Sequence, residues 1–552
     1  MNARLAPVAV LLVCLLAGFL AAVPAPAQDA GTLSRQAFEA YLQKDYPRSA
    51  DLFAAAIEAG ADDPDSLYNA ACASALAGRP QVAFGLLERA VAAGYGNVEN
   101  LKKDPDLASL HADPRWGQLV ERTEKAARAR EAFWNNPALA TPYRPSLPED
   151  ERVAGLSRLW SEVKFNFANF DLVPDLDWDA LYMAYLPRVR QENSTLAYYR
   201  LLMEMAAKLR DGHSGVYPPD ELGDEIYSRP PLRVALVEGR AFVSRVFVEF
   251  LQAEGIRPGV EIVEIDGIPV KQYADTRVAP YQSASTPQDL AARTYEYFLL
   301  AGPSSAPVEL TLQAPSGEPF KRKVARMPAA ERSKLSSTPL VELQMLPGNV
   351  AYVALNGFDD NTAAEQFEAR FEEIAKADAL ILDVRANGGG NSDIGYRVLA
   401  CLTDKPFRTS RWRTRDYRPA FRAWGRAEGT FGGDADEFPP SGKRLFTKPV
   451  AVLIGPRTYS SAEDFAVAFD AMKRGKIVGE PTGGSTGQPL FFKLPGGGTA
   501  RVCTKRDTYP DGREFVGVGV QPQVLVRPTV EDFRAGRDTV LEAALALLRN
   551  EP

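Results

Sequence analysis

From residue 339 onward, short apolar runs alternate with amphipathic stretches. The runs at 350–355, 379–384, 450–454 and 476–479 are uniformly apolar and predict buried strands. Helical periodicity at 362–377 and 462–473 separates them. Such alternation predicts crossover helices on a largely parallel sheet, an α/β core over 339–535. Between 405 and 446 the order breaks into Arg, aromatics, Gly and Pro, an excursion from that core. Upstream, 153–167, 178–190 and 195–209 carry helical periodicity and form a helical lead-in at 150–220. From 228 to 328 the period shortens. Alternating runs such as 241–246 and 308–312 predict strands, and GIRPGVEIVEIDGIPV at 255–270 predicts a glycine-rich turn, a strand and an Asp-Gly hairpin in order.

Nearer the N-terminus two segments repeat. Ser49 pairs with Ala83, Phe53 with Leu87, Ala56 with Ala90, Ile57 with Val91 and Gly60 with Gly94, at a constant offset of 34. Small residues let paired helices approach and larger ones fill the gaps, so residues 31–130 resemble tetratricopeptide helix pairs. They are expected either to offer a surface to a protein partner or to act as a spacer or packing domain, and, being only two copies, either to pack on a neighbour or to have a third, degenerate pair near 105–125. Residues 131–149, rich in proline and polar side chains, read as a linker. The 228–328 stretch resembles a PDZ domain, a small barrel that captures extended peptide ends as an added strand.

A chain of 552 residues is too long for one core. Its net charge of −7 gives no electrostatic footprint for nucleic acid. Arg4, the uncharged apolar run 8–23 and Ala25-Pro26-Ala27 read as a signal peptide over 1–27, which predicts an exported protein, periplasmic or secreted. That run is shorter than the roughly 20 residues that span a bilayer, and no later stretch is long and apolar enough, so no membrane span is expected once the signal is removed. Cys14 would leave with the signal. Cys72, Cys401 and Cys503 show neither a disulfide framework nor zinc spacing and read as small buried hydrophobes. No metal or organic cofactor is expected.

Serine hydrolysis needs a hydroxyl, a base, a group that orients the base, and donors for an oxyanion. Only two histidines exist. His111 lies in Leu-His-Ala-Asp-Pro without a partner signature and reads as a surface or capping residue. His213 lies in a tight polar turn, Asp211-Gly212-His213-Ser214, and is the candidate base. The segment Thr458-Tyr459-Ser460-Ser461-Ala462-Glu463-Asp464-Phe465 follows a buried strand and opens a helix, where free amides favour developing negative charge. Ser460 with Glu463 also fits a capping box, and on the segment alone that reading is the stronger. The strand 381–384 stops at Asn387-Gly388-Gly389-Gly390, whose amides can approach a substrate and supply an oxyanion donor. A nucleotide-phosphate loop is disfavoured there, because neither the Lys-Ser/Thr of a P-loop nor the spaced glycines of a dinucleotide site is present. The arginines and aromatics of 408–426 offer a site for a substrate carboxylate or a solvated loop, the latter being the better reading.

Together these segments resemble the C-terminal-processing (tail-specific) serine proteases and their tricorn-core relatives over about residues 150–530. The resemblance rests on Leu-Arg-Asp-Gly-His-Ser at 209–214, the PDZ-like insert, Asp-Val-Arg-Ala-Asn-Gly-Gly-Gly at 383–390 and the serine segment. It continues through Val-Gly-Glu-Pro-Thr-Gly-Gly at 478–484 and Gly-Val-Gly-Val-Gln-Pro at 517–522. It implies a multidomain protein: tetratricopeptide-like helices, a PDZ-like β domain and a ClpP/crotonase-like α/β protease core. It implies a serine endopeptidase acting on peptide or protein substrates. Counting back from Glu463, it makes Ser460 the nucleophile, with Ser461 the nearest competitor. The amides of Ser461 and of Gly389 or Gly388 become the oxyanion donors. Where one branch carries a lysine base in Gly-Lys-Gly, this chain has Gly484-Ser485-Thr486-Gly487, so the histidine branch, with His213, fits. That branch's late glutamate falls at Val516; Glu514, two residues upstream, and Glu480 are the candidates to orient His213. The rival reading is a catalytically inactive binding or scaffold protein of the same fold, as in the interphotoreceptor retinoid-binding proteins.

Overall fold

The structure is a computed structural model that describes residues 29–315, 317–335 and 338–550; the expected signal peptide at 1–27 lies outside them. The chain divides into two units, meeting between Asn136 and Pro137.

The first unit is helical. Ala30–Leu42 packs on Tyr46–Glu58, and Pro64–Leu76 on Pro80–Ala93. The 34-residue repeat is realised in the packing: Ser49 and Ala83 are fully buried, as are Phe53 and Leu87 at the next equivalent position. Gly60 and Gly94 end their helices with φ of +109° and +115°, a conformation that glycine adopts without a Cβ penalty. Where a third pair was expected near 105–125, a short turn, Pro105–Leu110, leads into one long helix, Pro114–Trp134. That helix reaches into the expected linker, 131–149.

In the second unit, helices Glu149–Asn166, Trp178–Gln191 and Thr195–Ala207 pack around Tyr198, Tyr199 and Leu202. They deliver the chain to the turn at Asp211–Ser214 and then to a short strand, Gly215–Tyr217. A six-strand antiparallel sheet follows, in the order Leu232–Val237, Arg240–Val246, Glu261–Ile265, Val308–Gln313, Pro319–Val324, with the short strand Ile268–Pro269 also paired to Glu261–Ile265. Its inner face is closed by Val243, Ile262, Leu310 and Leu312. The Asp266-Gly267 hairpin has φ of +50° and +73°, the pair of left-handed residues that a tight hairpin of matching twist requires.

The central sheet has the order Val524–Leu525, Lys476–Gly479, Val450–Ile454, Ala379–Asp383, Val350–Leu355, Val341–Leu346, parallel throughout except for the last strand. Two strands are buried at every residue, which explains their unbroken apolar sequence. Leu380, Leu382, Val452 and Ile454 face the core under the helix Ser461–Met472. The alternate residues Ile381, Ala451 and Leu453 face Val540, Ala544 and Leu548 of the C-terminal helix. The 405–446 excursion forms a hairpin, Arg411–Asp416 with Gly429–Gly433, joined to Arg506–Thr508. Among the described residues no helix is long and apolar enough to cross a membrane.

Candidate active site

The strand Val450–Ile454 ends in a turn that Thr458 ties down. Its Oγ1 donates to Val384 O (2.8 Å) and accepts from Gly455 N–H (3.1 Å), so the ends of the two central strands are joined. Ser460 then takes φ +56° and ψ −127°, an unusual state for a residue with a Cβ, and the helix begins at Ser461. The Ser460 N–H is held by Glu463 Oε2 (3.3 Å) and Ser485 O (3.1 Å). This is the backbone half of the expected capping box. The Ser460 side chain turns elsewhere: its Oγ lies 3.1 Å from His213 Nε2, across 247 positions of sequence.

His213 is 5% exposed. Asp211 builds its turn by accepting from His213 N–H (3.0 Å), Ser214 Oγ (2.9 Å) and Asn169 Nδ2 (2.9 Å). The imidazole stacks on Tyr459, with ring centres 5.1 Å apart and planes within 6°. Arg293 lies over the Tyr459 ring and is paired with Asp289 at 2.7 Å. Burial lowers the His213 pKa to about 3, helped by the positive charges of Arg501, Arg293 and Lys505. The ring is therefore neutral over the whole working range and can accept a proton at one nitrogen.

Nδ1 faces Ser485 Oγ at 2.8 Å. With Nδ1–H donated to that hydroxyl, the Nε2 lone pair is left for Ser460. Ser485 is itself fixed by Glu463, which accepts from Ser485 N–H (2.8 Å), Gly484 N–H (2.7 Å) and Thr482 Oγ1. Burial pushes the Glu463 carboxyl up to about 8, against the pull of these donors.

Three sequence expectations need correction. Glu514 is not bonded to His213; its carboxylate is held by Arg413 at 3.0 Å and Arg506 at 3.4 Å, and its backbone is fixed by an isolated antiparallel bridge to Thr508. Glu480, the other candidate, faces Arg527 at 3.6 Å. Gly389 does lie against the serine turn, but its N–H donates to Asn387 Oδ1 at 2.9 Å and is not free for an oxyanion. The Ser461 and Gly388 amides make no hydrogen bond among the described residues. The Ser461 hydroxyl is buried without a partner among the described residues, so the geometry joins His213 to Ser460 and not to its neighbour. Ser485 was given no role by the sequence reading, although the Gly484–Gly487 stretch that contains it was singled out. His111 is exposed and lies against Trp116, with ring centres 4.4 Å apart and planes tilted by 36°. The three cysteines Cys72, Cys401 and Cys503 are buried and unpaired. Among the described residues, the one set of side chains close enough to share a metal ion is Cys72, Asp104 and Asp106, in the first unit.

Gly389 has φ +103°, and a Cβ there would fall 2.6 Å from Ser460 Cβ and 2.8 Å from Tyr459 O. Gly389→Ala is therefore expected to displace the Ser460 hydroxyl while the sheet survives. Labelling by a fluorophosphonate should slow by about 100-fold, the effect of misplacing a reacting group by about 1 Å. A folded variant that labels at the wild-type rate would show that the close approach is irrelevant to the serine.

Peptidase family S41 matches residues 349–526. The match contains Ser460, Ser485 and Gly389, while His213 lies upstream of it. The chain is 28% identical over 290 residues to the chloroplastic C-terminal processing peptidase of Tetradesmus obliquus, covering 50% of this chain and 54% of that protein. It is 24% identical over 250 residues to the carboxy-terminal-processing protease of Bartonella bacilliformis, covering 44% and 52%. The chain thus spans about half the length of these curated relatives. Among solved structures, mature CPAF in complex with lactacystin aligns with a TM-score of 0.58 at 17% identity, covering 73% of this chain and 99% of that one, and shares the fold. The parallel sheet that presents Ser460, with the loops around it, lies largely within the segment that matches peptidase family S41.

Proposed function

We propose that the chain is an exported serine endopeptidase in which Ser460 is the nucleophile, His213 the general base and Ser485 the residue that orients it. The observation that carries this reading is the 3.1 Å approach of His213 Nε2 to Ser460 Oγ in a buried turn. Ser460 Oγ attacks the scissile carbonyl carbon as its proton passes to Nε2; the resulting imidazolium returns that proton to the leaving amine. Water, deprotonated by the same nitrogen, then hydrolyses the acyl-enzyme. The amides of Ser461 and Gly388 are the donors for the tetrahedral oxyanion, each worth about 3 kcal/mol in such sites. The six-strand β unit is proposed as a PDZ-like element that recognises peptide ends. The helix pairs of the first unit are proposed as a tetratricopeptide-like surface for a protein partner.

The test is a fluorophosphonate probe applied to the full chain between pH 4.5 and 9, with the adduct located by mass spectrometry. The adduct is expected on Ser460. Because the His213 pKa is lowered to about 3, its base form persists on the acid side, and the labelling rate should stay flat down to about pH 5. A fall centred near pH 6.5 would place the ring in solvent-like surroundings and contradict the buried geometry. A folded chain that takes up no probe would favour the inactive binding protein.

A further inference from the structure

The first unit holds a cavity of 540 Å³ of its own. Its lining comes from the first three helices and from residues 95–106. The turn Pro105–Leu110, which stands where a third helix pair was expected, contributes Pro105 and Asp106. The walls are aromatic. Tyr68 and Tyr95 stack with ring centres 4.3 Å apart, and both are buried. Phe38 meets the buried Phe53 edge to face at 5.3 Å. Phe38 is itself 46% exposed, so this wall offers apolar surface to whatever enters.

The charge in the lining has one sign. Asp65, Asp104 and Asp106 line the cavity, and no lysine or arginine does. The Tyr68 hydroxyl donates to Asp104 Oδ2 at 2.8 Å, and the Tyr41 hydroxyl to Asp106 Oδ2 at 2.5 Å. These neutral donors fix the two carboxylates without cancelling their charge. Asp106 Oδ1 and the Asp65 carboxylate accept no hydrogen bond, and none of the three aspartates makes an ion pair, among the described residues. The same unit pairs its carboxylates elsewhere: Asp51 with Arg79, Glu124 with Lys102 and Asp113 with Arg115. Carboxylates left without a cation in a concave wall concentrate negative potential there. A carboxylate has about four acceptor positions, so these retain capacity for an incoming charged donor.

We infer that this cavity binds a cationic side chain, lysine or arginine, of a partner polypeptide, with Asp104 and Asp106 as its anchors and Phe38 against its aliphatic stem. The inference rests on the reading of the first unit as a partner surface and names the chemistry of that partner; it is independent of the peptidase. Charge complementarity selects a basic segment, since an acidic one would meet three like charges. The fit is to both halves of such a side chain. Its methylenes pack on apolar surface while the charged head reaches polar groups, and a cation near an aromatic face gains further attraction. A metal ion is the smaller alternative. Cys72, Asp104 and Asp106 bring ligand atoms within 4.8 Å of one another, but an ion held there would leave the aromatic wall and most of the 540 Å³ unused.

The test uses fluorescence anisotropy with the full-length Ser460→Ala chain, so that no peptide is cleaved. The probes are fluorescein-labelled, amidated decapeptides of alanine, serine and leucine whose two central residues are lysine, arginine, glutamate or serine. The lysine or the arginine peptide is expected to bind about 10-fold or more tightly than the serine parent, and the tighter of the two identifies the side chain. Asp104→Asn and Asp106→Asn should each reduce the preference at least about 3-fold, and the double variant should abolish it. Asparagine keeps an oxygen for the tyrosine hydroxyls, and thermal unfolding checks the fold. If either variant fails to fold, the exposed Asp65→Asn and Phe38→Ala carry the test, each expected to weaken the basic peptide at least about 2-fold. Glu121→Gln, an equal loss of charge on the helix Pro114–Trp134 and outside the lining, should leave the preference unchanged. A preference that survives the double variant, or that Glu121→Gln also removes, overturns the site. Uptake of one zinc ion that Asp104→Asn abolishes, without any peptide preference, overturns it in favour of a metal centre. If neutral and acidic peptides bind as well as basic ones and Phe38→Ala removes that binding, the partner surface stands and the cationic ligand falls. If no peptide binds, both fall.

Discussion

Replacing Ser460 by alanine is expected to abolish fluorophosphonate uptake, and replacing His213 by alanine to slow it by about 10⁴-fold, with both proteins still folded. The expected size follows from how the two groups act. A neutral hydroxyl is a poor nucleophile, and its activation depends on one nitrogen, 3.1 Å away, that removes its proton. Groups that act as such a unit are non-additive, so the double variant should behave as Ser460→Ala alone and take up no probe. The structural cost of either change is modest, because the Ser460 backbone is held by Glu463 and Ser485 through its N–H and not through its hydroxyl. Ser485→Ala, by contrast, should retain most of the fold and lose a smaller part of the rate, since a neutral hydroxyl orients the ring without carrying charge. The measurement is the second-order labelling rate, with circular dichroism as the check on folding. His213→Ala labelling within tenfold of wild type would exclude the imidazole as the base.

The largest effect on stability is expected from Glu463→Ala. Glu463 is fully buried, and its carboxyl is the common acceptor for Ser460 N–H, Gly484 N–H, Ser485 N–H and the Thr482 hydroxyl. Removing it orphans three donors at once, since Ser460 N–H keeps Ser485 O as an acceptor. Each unsatisfied buried donor costs about 1–3 kcal/mol, and water entering the vacated space recovers part, so a loss of about 4 kcal/mol is expected at pH 5. The effect depends on pH with a definite sign. Burial raises the carboxyl from 4.5 in the unfolded chain to about 8 in the folded one, so between those values the folded state holds the extra proton. Stability from this group is then fully present below pH 4.5 and is lost as pH rises through about 8. The difference between wild type and variant in urea unfolding should therefore shrink from pH 5 to pH 8.5. A loss below about 1 kcal/mol at pH 5 would mean that the loop 482–485 is held by something else. Because the same carboxyl fixes Ser485, labelling of the variant should also slow.

Much of the architecture could be read along the chain because it rests on local rules. Strands buried on both faces need apolar side chains at every position, so Ala379–Asp383 and Val450–Ile454 stand out without any knowledge of their neighbours. The helix pairs announce themselves through Ser49 and Ala83, which must be small to let helices approach. The reading was poorer where geometry is set by distant contacts. The long helix Pro114–Trp134 runs past the expected domain edge, since the polar residues that suggested a linker are equally at home on an exposed helix face. Glu514 was placed beside His213 by counting residues from a turn. A one-residue change of register sends a side chain to the other face, and here it faces Arg413 and Arg506.

What the amino-acid order alone determined is the inventory: two histidines, one of them in a tight polar turn, a serine where a buried strand meets a helix, and a glycine run at the end of the neighbouring strand. Those are local features, governed by periodicity, capping and backbone freedom. Only the tertiary structure decided which of them meet. It brought His213 across 247 positions to Ser460 and not to Ser461, and gave its other nitrogen to Ser485. It turned the Gly389 amide toward Asn387. The reason is physical: a hydrogen bond depends on the positions of two atoms to within a few tenths of an ångström, and those positions are set by the packing of the whole sheet, which no short stretch of sequence contains.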